Sequence, residues 1–123
     1  MNALYRGAVL TAAVIGSLSC NGYDAPSTPN PPNGASINAS VTSVFAPNIV
    51  SVAQGATVTW VFGAVEHNVT FTAATGVPAN ITNSMNTQVA RTFGTAGTYN
   101  YQCTIHAGMT GSVSVLGGTP GGY

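Results

Sequence analysis

Residues 99–111 read Tyr99-Asn100-Tyr101-Gln102-Cys103-Thr104-Ile105-His106-Ala107-Gly108-Met109-Thr110-Gly111. This stretch places a thiol, an imidazole and a thioether in the spacing Cys-x2-His-x2-Met, at Cys103, His106 and Met109. Aromatic and polar residues alternate before the cysteine, which predicts a β-strand that leads into a loop. A further alternating segment, residues 112–116, follows that loop. The stretch therefore predicts three metal-ligating side chains on a loop between two strands.

A fourth ligand must come from elsewhere in the chain. The sequence has two histidines, and the second one, His67, begins an alternating segment on its apolar-facing parity. Two imidazoles, a thiolate and a weak thioether form the ligand set of an electron-transfer copper site. A β-sandwich can bring the start of one strand beside a loop that joins two others. We therefore expect one copper ion at His67, Cys103, His106 and Met109, with Asn68 stiffening the site through hydrogen bonds.

The segment from residue 35 to residue 116 has an all-β pattern. Seven short stretches favour strands, and turn residues separate them at intervals of about 8–12 residues. These stretches are residues 36–43, 49–53, 57–62, 67–72, 88–93, 99–103 and 112–116. Residues 74–86 are rich in turn formers and are expected to form a loop. The predicted fold is all-β, a Greek-key β-sandwich of about seven to eight strands.

The charged residues exclude several classes of function. The chain has two basic and two acidic residues and no net charge, so it has no basic surface for nucleic acid. Of the two acids, Asp24 lies in a linker-like segment and Glu66 stands alone, which excludes a hydrolase with paired carboxylates. A copper ion with four protein ligands leaves no open position for a substrate. We therefore expect a protein that is not an enzyme.

Residues 1–20 resemble an export signal. Arg6 precedes an apolar run at residues 7–15, which is far shorter than the ~20 residues that a membrane span needs. The segment that ends at Cys20 resembles a lipoprotein cleavage box, with Ser17 where a leucine is usual. On this interpretation a lipid on Cys20 attaches the protein to a membrane; the alternative is plain secretion with cleavage near Ser17 or Ser19. Either way we expect an exported protein, periplasmic or at the cell surface.

Three further segments complete the predicted organisation. Residues 21–34 form a proline-rich linker, which favours an extended spacer. Residues 35–116 form the copper-binding domain, and residues 117–123 form a flexible, glycine-rich tail. A disulfide between Cys20 and Cys103 is an alternative use of the two cysteines, although their local contexts indicate separate roles.

Several short motifs occur in order along the domain. They are Phe45-x-Pro47, Gly55-x-x-Val58-x-Trp60, His67-Asn68-Val69 and Gly97-Thr98-Tyr99-x-Tyr101-x-Cys103-x-x-His106-x-x-Met109-x-Gly111-x-Val113-x-Val115. With these motifs the chain resembles the small type 1 blue copper proteins of the plastocyanin/amicyanin family of cupredoxins. The resemblance implies that His67, Cys103 and His106 are the strong ligands and that Met109 is the long axial ligand. It also implies a solvent-accessible imidazole edge at His106, through which electrons leave.

The chain departs from plant plastocyanins in its docking residues. Gln102 stands where those proteins have a tyrosine, and the sequence has no acidic patch. The gap between His106 and Met109 is short and resembles that of amicyanin. We therefore expect contact with redox partners through a flat, weakly polar surface around the copper ligands, including Ile105 and Ala107.

Three functions remain open at this point. The first is one-electron transfer between extracytoplasmic redox partners. The second is a copper-binding or storage module, although such sites usually gather several methionines or cysteines. The third is a structural surface subunit that keeps the cupredoxin fold, because low net charge favours self-association.

Overall fold

The computed structural model describes residues 29–118, and this range contains nine β-strands and no helix. The strands are β1 (Gly34–Ala39), β2 (Phe45–Ala46), β3 (Ile49–Ala53), β4 (Thr57–Phe62), β5 (His67–Phe71), β6 (Ile81–Ser84), β7 (Thr87–Thr92), β8 (Gly97–Gln102) and β9 (Thr110–Leu116). They form a four-stranded sheet in the order β2-β1-β4-β7 and a five-stranded sheet in the order β3-β9-β8-β5-β6. The predicted all-β sandwich is confirmed.

Strand pairing connects distant parts of the chain within each sheet. β1 runs parallel to β4, and β3 runs parallel to β9, while the other pairs are antiparallel. In the five-stranded sheet β5 lies beside β8, with Phe71 opposite Tyr101. Since β5 starts at His67 and β8 ends just before Cys103, this antiparallel pair brings both residues to the same end of the sandwich.

The core comes from the alternating positions that the sequence indicates. Val58, Trp60 and Phe62 of β4 are at most 2% exposed, and Val113 and Val115 of β9 are buried as well. Trp60 packs edge-on against Phe71 and Tyr101 and at a tilt against Phe93. The ring centroids are 5.4–6.5 Å apart. Burial of such large apolar side chains is the main stabilising term in a domain of this size.

Two short strands were not predicted. β2 has only two residues, which pair with the end of β1 just before Pro47. β6 lies within the segment that was expected to be a loop, and of its four residues only Ile81 is fully buried. A strand at the edge of a sheet with one buried side chain has no alternating pattern to detect. β6 still matters for the site, because its Ser84 lies opposite His67.

Arg91 is a charged residue at a half-buried position of β7, and its guanidinium group makes specific contacts. Its guanidinium group donates hydrogen bonds to the carbonyl oxygens of Ala79 (2.7 Å) and Asn80 (2.9 Å). The side chain is half-buried beside Val58 of the neighbouring strand. The charged group thus holds the segment that precedes β6.

Several predicted segments lie wholly or partly outside the described residues. These are the export signal with Cys20, most of the proline-rich linker, and the end of the glycine-rich tail. At the described end of the linker, the carbonyl oxygen of Pro32 accepts a hydrogen bond from the amide of Ala53 (2.9 Å). Between residues 29 and 118 the structure contains no helix that is long and apolar enough to cross a membrane.

Two core tyrosines differ in the pairing of their hydroxyl groups, and this predicts different costs of removal. The Tyr101 hydroxyl is buried without a hydrogen-bond partner, and burial raises the pKa of Tyr101 to about 12. The Tyr99 hydroxyl donates to the carbonyl oxygen of Thr95 (2.8 Å). We expect Tyr101→Phe to change the free energy of unfolding by about 0 to +1 kcal/mol, and Tyr99→Phe to lower it by about 1 kcal/mol. Urea unfolding measures both; a larger loss for Tyr101→Phe than for Tyr99→Phe contradicts this account.

Candidate metal centre

The candidate ligands come from the ends of β5 and β8 and from the loop between β8 and β9. His67 is the first residue of β5, and Cys103 directly follows β8. Two backbone hydrogen bonds close the loop. The amide of Cys103 donates to the carbonyl oxygen of Met109 (2.9 Å), and the amide of Met109 donates to the carbonyl oxygen of His106 (3.3 Å). Gly108 adopts a positive φ of 78°, which a side chain would strain. The short loop thus holds its three candidate ligands within one compact turn.

Gly111 fixes how closely this loop returns to the sheet. A Cβ atom at this position would collide with the Tyr101 ring and lie 2.7 Å from the carbonyl oxygen of Asn48. No side chain fits there, so β9 can lie directly against β8 just after Met109.

Three donor atoms converge at this end of the sandwich. The Nδ1 atoms of His67 and His106 lie 3.1 Å apart, and Cys103 Sγ lies 3.5 Å from His106 Nδ1. One atom from each of the three residues lies within 4.8 Å of the others. Nitrogen and sulfur ligands bind a metal such as zinc at about 2.0–2.3 Å, so two donors that share such an ion lie no more than about 4.6 Å apart. The separations of 3.1 Å and 3.5 Å are within this limit, and the third separation, between His67 and Cys103, is at most 4.8 Å.

A backbone carbonyl group orients His67. The Nε2 atom lies 3.0 Å from the carbonyl oxygen of Ser40, which can only accept a hydrogen bond. Nε2 therefore carries the proton, and the lone pair is on Nδ1, which faces His106 and Cys103. A metal-ligating histidine typically donates its other N–H group to such an acceptor, which fixes the tautomer and the ring orientation.

The surroundings of His67 also favour its neutral form. The side chain is fully buried. Burial, and then the neighbouring imidazole of His106, hold the pKa of His67 below its ordinary value of 6.5, although the hydrogen bond to Ser40 opposes this. A histidine binds metal only when it is neutral. His67 is therefore in the binding-competent protonation state at neutral pH.

The donor set fits a copper ion. The His67 tautomer directs a lone pair at His106 Nδ1 across 3.1 Å, beside a buried free thiol. A soft cation in this space would be within reach of both imidazole Nδ1 atoms and of the Cys103 sulfur. The chemistry of two imidazoles and one thiolate, with a buried thioether residue nearby, is that of a single type 1 copper site.

Met109 lies in the core at the edge of this cluster. Its side chain is 1% exposed, and its backbone pairs with that of Cys103. His106, in contrast, is half-buried and is the most exposed of the four candidate ligands. Among the four candidate ligands, solvent therefore reaches His106 most easily.

Asn68 connects the two strand ends as the sequence indicates. Its backbone amide donates to Cys103 Sγ (3.5 Å), and its side-chain oxygen accepts from the amide of Thr104 (2.9 Å). Its side-chain nitrogen donates to Thr104 Oγ1 (2.7 Å) and to Asn83 Oδ1 (3.0 Å). These bonds attach the residue that follows His67 to the residue that follows Cys103.

Large apolar side chains are exposed beside the segments that carry or contact the candidate ligands. Val41 and Val44 are 65% and 49% exposed and lie in the turn that follows Ser40. Ile105, which precedes His106, is 44% exposed. Glu66 is the acidic residue of the described range, and it is exposed next to His67. Val41, Val44 and Ile105 thus form an exposed apolar rim next to the candidate ligands.

Sequence reasoning missed three contributors to the site. The Ser40 contact uses a backbone oxygen, which leaves no mark in the sequence. Thr104 is exposed and Asn83 belongs to the unpredicted strand β6. In the sequence, Asn83 and Thr104 are marked only by their polar side chains. Such residues are common in loops, so they did not indicate a role in the site.

A β-sandwich that gathers two imidazoles and a thiol at one end, beside a buried methionine, defines the cupredoxin class of copper-binding proteins. A family model described as copper binding proteins of the plastocyanin/azurin family matches residues 35–116. The chain belongs to this family. A comparison with curated proteins finds no match.

Solved structures give the same picture. An oxidised variant of amicyanin is 30% identical with a TM-score of 0.60, and the match covers 68% of this chain and 83% of that chain. A reduced Cu(I) form of another amicyanin variant is 28% identical with a TM-score of 0.58, and that match covers 68% and 82%. The copper-containing nitrite reductase from Thermus scotoductus SA-01 is 22% identical with a TM-score of 0.60, and 70% of this chain spans 23% of that one. The last likeness shows the fold alone.

Proposed function

We propose that this protein is a one-electron carrier with a mononuclear type 1 copper centre, bound by His67, Cys103, His106 and Met109. The convergence of three donor atoms, with the Ser40 carbonyl group fixing the His67 tautomer, is the observation that carries the proposal. Copper, when bound, supplies the change between Cu(I) and Cu(II). The family and the likeness to amicyanin support the same conclusion.

The surroundings of the ligands suit rapid electron transfer. Three of the proposed ligands are almost completely buried, and hydrogen bonds fix His67 and the backbone of the ligand loop. Side chains that are held this firmly rearrange little when the oxidation state of a metal changes. Four protein ligands also leave no position for a substrate, so the proposed role is transfer and not catalysis.

Electrons enter and leave through the half-buried edge of His106. The rim of Val41, Val44 and Ile105 lets a redox partner approach without displacing charged groups. Residues 29–118 contain one acid, Glu66, and one base, Arg91, so long-range electrostatic steering of the partner is weak. The proposed partners are redox proteins that dock on this apolar rim.

The proposed location is outside the cytoplasm, periplasmic or at the cell surface. The argument comes from the sequence: residues 1–20 resemble an export signal, and residues 21–34 form a proline-rich spacer. In the lipoprotein interpretation Cys20 anchors the domain of residues 35–116 to a membrane. The spacer then holds the copper domain away from the anchor.

A storage module is the second candidate, and voltammetry distinguishes it from a carrier. We expect the copper-loaded protein to give a reversible one-electron wave whose oxidation and reduction peaks have equal size, because the ligands fit both oxidation states. Removal of copper with a chelator abolishes the wave, and reloading restores it. An irreversible or strongly distorted wave from a fully loaded protein favours storage and overturns electron transfer.

A further inference from the structure

Asn68 forms part of a longer chain of side chains that ends at an exposed carboxylate. Asn83 Nδ2 donates to Glu66 Oε2 (3.3 Å), and Asn83 Oδ1 accepts from Asn68 Nδ2 (3.0 Å). Asn68 Oδ1 then accepts from the amide of Thr104 (2.9 Å). Two amide side chains thus connect an exposed carboxylate beside His67 to the backbone that follows Cys103.

The chemistry of the two ends fixes the direction of this chain. An ionised carboxylate can only accept hydrogen bonds, so the Asn83 nitrogen must face Glu66. The Asn83 oxygen therefore faces Asn68, which must present its nitrogen. At the far end the amide of Thr104 can only donate, so it requires the Asn68 oxygen. Both ends select the same orientation of both amides.

An irregularity between β5 and β6 allows Asn83 to reach Asn68. The register runs from His67 opposite Ser84 to Val69 opposite Ile81, so two residues of β6 lie across from the single residue Asn68. Such a bulge redirects side chains at a strand edge. The extra residue gives β6 a polar side chain in the position needed to bind Asn68.

We propose that Asn83 is a positioning residue for the copper ligand loop, with Glu66 fixing the orientation of its amide. Asn83 accepts a hydrogen bond from the side-chain amide of Asn68. This contact keeps Asn68 Oδ1 directed at the backbone amide of Thr104. The Asn68 backbone that donates to Cys103 Sγ is held by the same contacts. This inference deepens the proposed function and depends on it only for the effect on copper.

Isosteric exchanges test the direction of the chain without removing volume. Asn83→Asp puts a carboxylate oxygen against Glu66, so we expect the pair to separate and the Thr104 amide to exchange its hydrogen about threefold faster or more. Adding Glu66→Gln restores a donor opposite the new acceptor, and the rate returns to within about twofold of the parent protein. Thr82→Ala, at a neighbouring exposed position on β6, is the control and leaves the rate unchanged.

The measurement is amide hydrogen exchange by NMR on the copper-free chain, followed by the reduction potential of the copper-loaded chain. We expect the potential to fall in Asn83→Asp and to recover in the double variant, because a thiolate with weaker hydrogen bonds stabilises Cu(II). Unchanged exchange at Thr104 in Asn83→Asp, or no recovery in the double variant, overturns the positioning role. A parent protein that binds no copper overturns the proposed function, while the exchange rates still decide the role of Asn83.

Discussion

Replacing Cys103 with serine is expected to abolish the visible absorption of the copper-loaded protein and to lower its affinity for Cu(I) by more than about 100-fold. Loss of a group that merely orients a ligand already costs about 10–100-fold in metal affinity, and Cys103 supplies the only thiolate of the cluster. Serine is a poor ligand for a soft ion, because its hydroxyl group stays protonated and its oxygen is hard. Competition with a Cu(I) chelator measures the affinity, and circular dichroism checks the fold.

The same substitution at the other cysteine is the matched control. Cys20→Ser keeps all four proposed ligands and is expected to leave the affinity and the colour unchanged. A disulfide between Cys20 and Cys103 predicts the opposite, since Cys20→Ser would then release the thiol and raise the affinity. Retention of an intense colour in Cys103→Ser contradicts the proposed ligand set.

Truncation of Trp60 is expected to have the largest effect on stability. Trp60 is 0% exposed, and its ring contacts Phe71, Phe93 and Tyr101 between the two sheets. Trp60→Ala leaves a large cavity and is expected to lower the free energy of unfolding by about 3–5 kcal/mol. The stability of a whole domain is about 5–15 kcal/mol, so the variant will be close to unfolding.

The control for this prediction is Trp60→Phe. It keeps an aromatic ring in the cluster and removes an indole N–H group that has no hydrogen-bond partner. We therefore expect a cost of less than about 2 kcal/mol. Because Trp60 is the single tryptophan of the chain, circular dichroism and not fluorescence must follow the unfolding. Equal losses in the two variants would show that cavity formation does not dominate.

The strands with strong alternation could be predicted from the sequence, and the weakly patterned strands could not. Residues 49–53 and 57–62 were predicted with the bounds of β3 and β4, because every second side chain there enters the core. β6 escaped detection because one buried residue, Ile81, gives no periodicity. Its location beside His67 depends on pairing between distant segments, which local patterns do not encode.

At the candidate site, the sequence predicts the ligand types but not the three-dimensional contacts that surround them. Ligand types and the spacing of residues 103, 106 and 109 identified the chemistry, and His67 followed from the scarcity of histidines. The convergence of His67 with the loop required the β5–β8 pairing. The Ser40 carbonyl contact could not be predicted, since every residue has the same backbone oxygen.

The role of Asn68 could be predicted from the sequence, but its hydrogen-bond partners could not. Asn68 was expected to stiffen the site from its place after His67 alone, and the structure supplies its partners, Thr104 and Asn83. Those partners come from a loop and from the strand that the sequence did not reveal. The surroundings of a metal site thus depend more on tertiary structure than its ligands do.

The visible spectrum during a one-electron titration tests the central claim most directly. The oxidised, copper-loaded protein is predicted to be intensely blue or green through charge transfer from the Cys103 thiolate to Cu(II). One electron per copper ion should bleach the colour completely, and reoxidation should restore it. A colourless protein that contains one Cu(II) ion, or a colour that survives complete reduction, would contradict a type 1 copper centre at His67, Cys103, His106 and Met109.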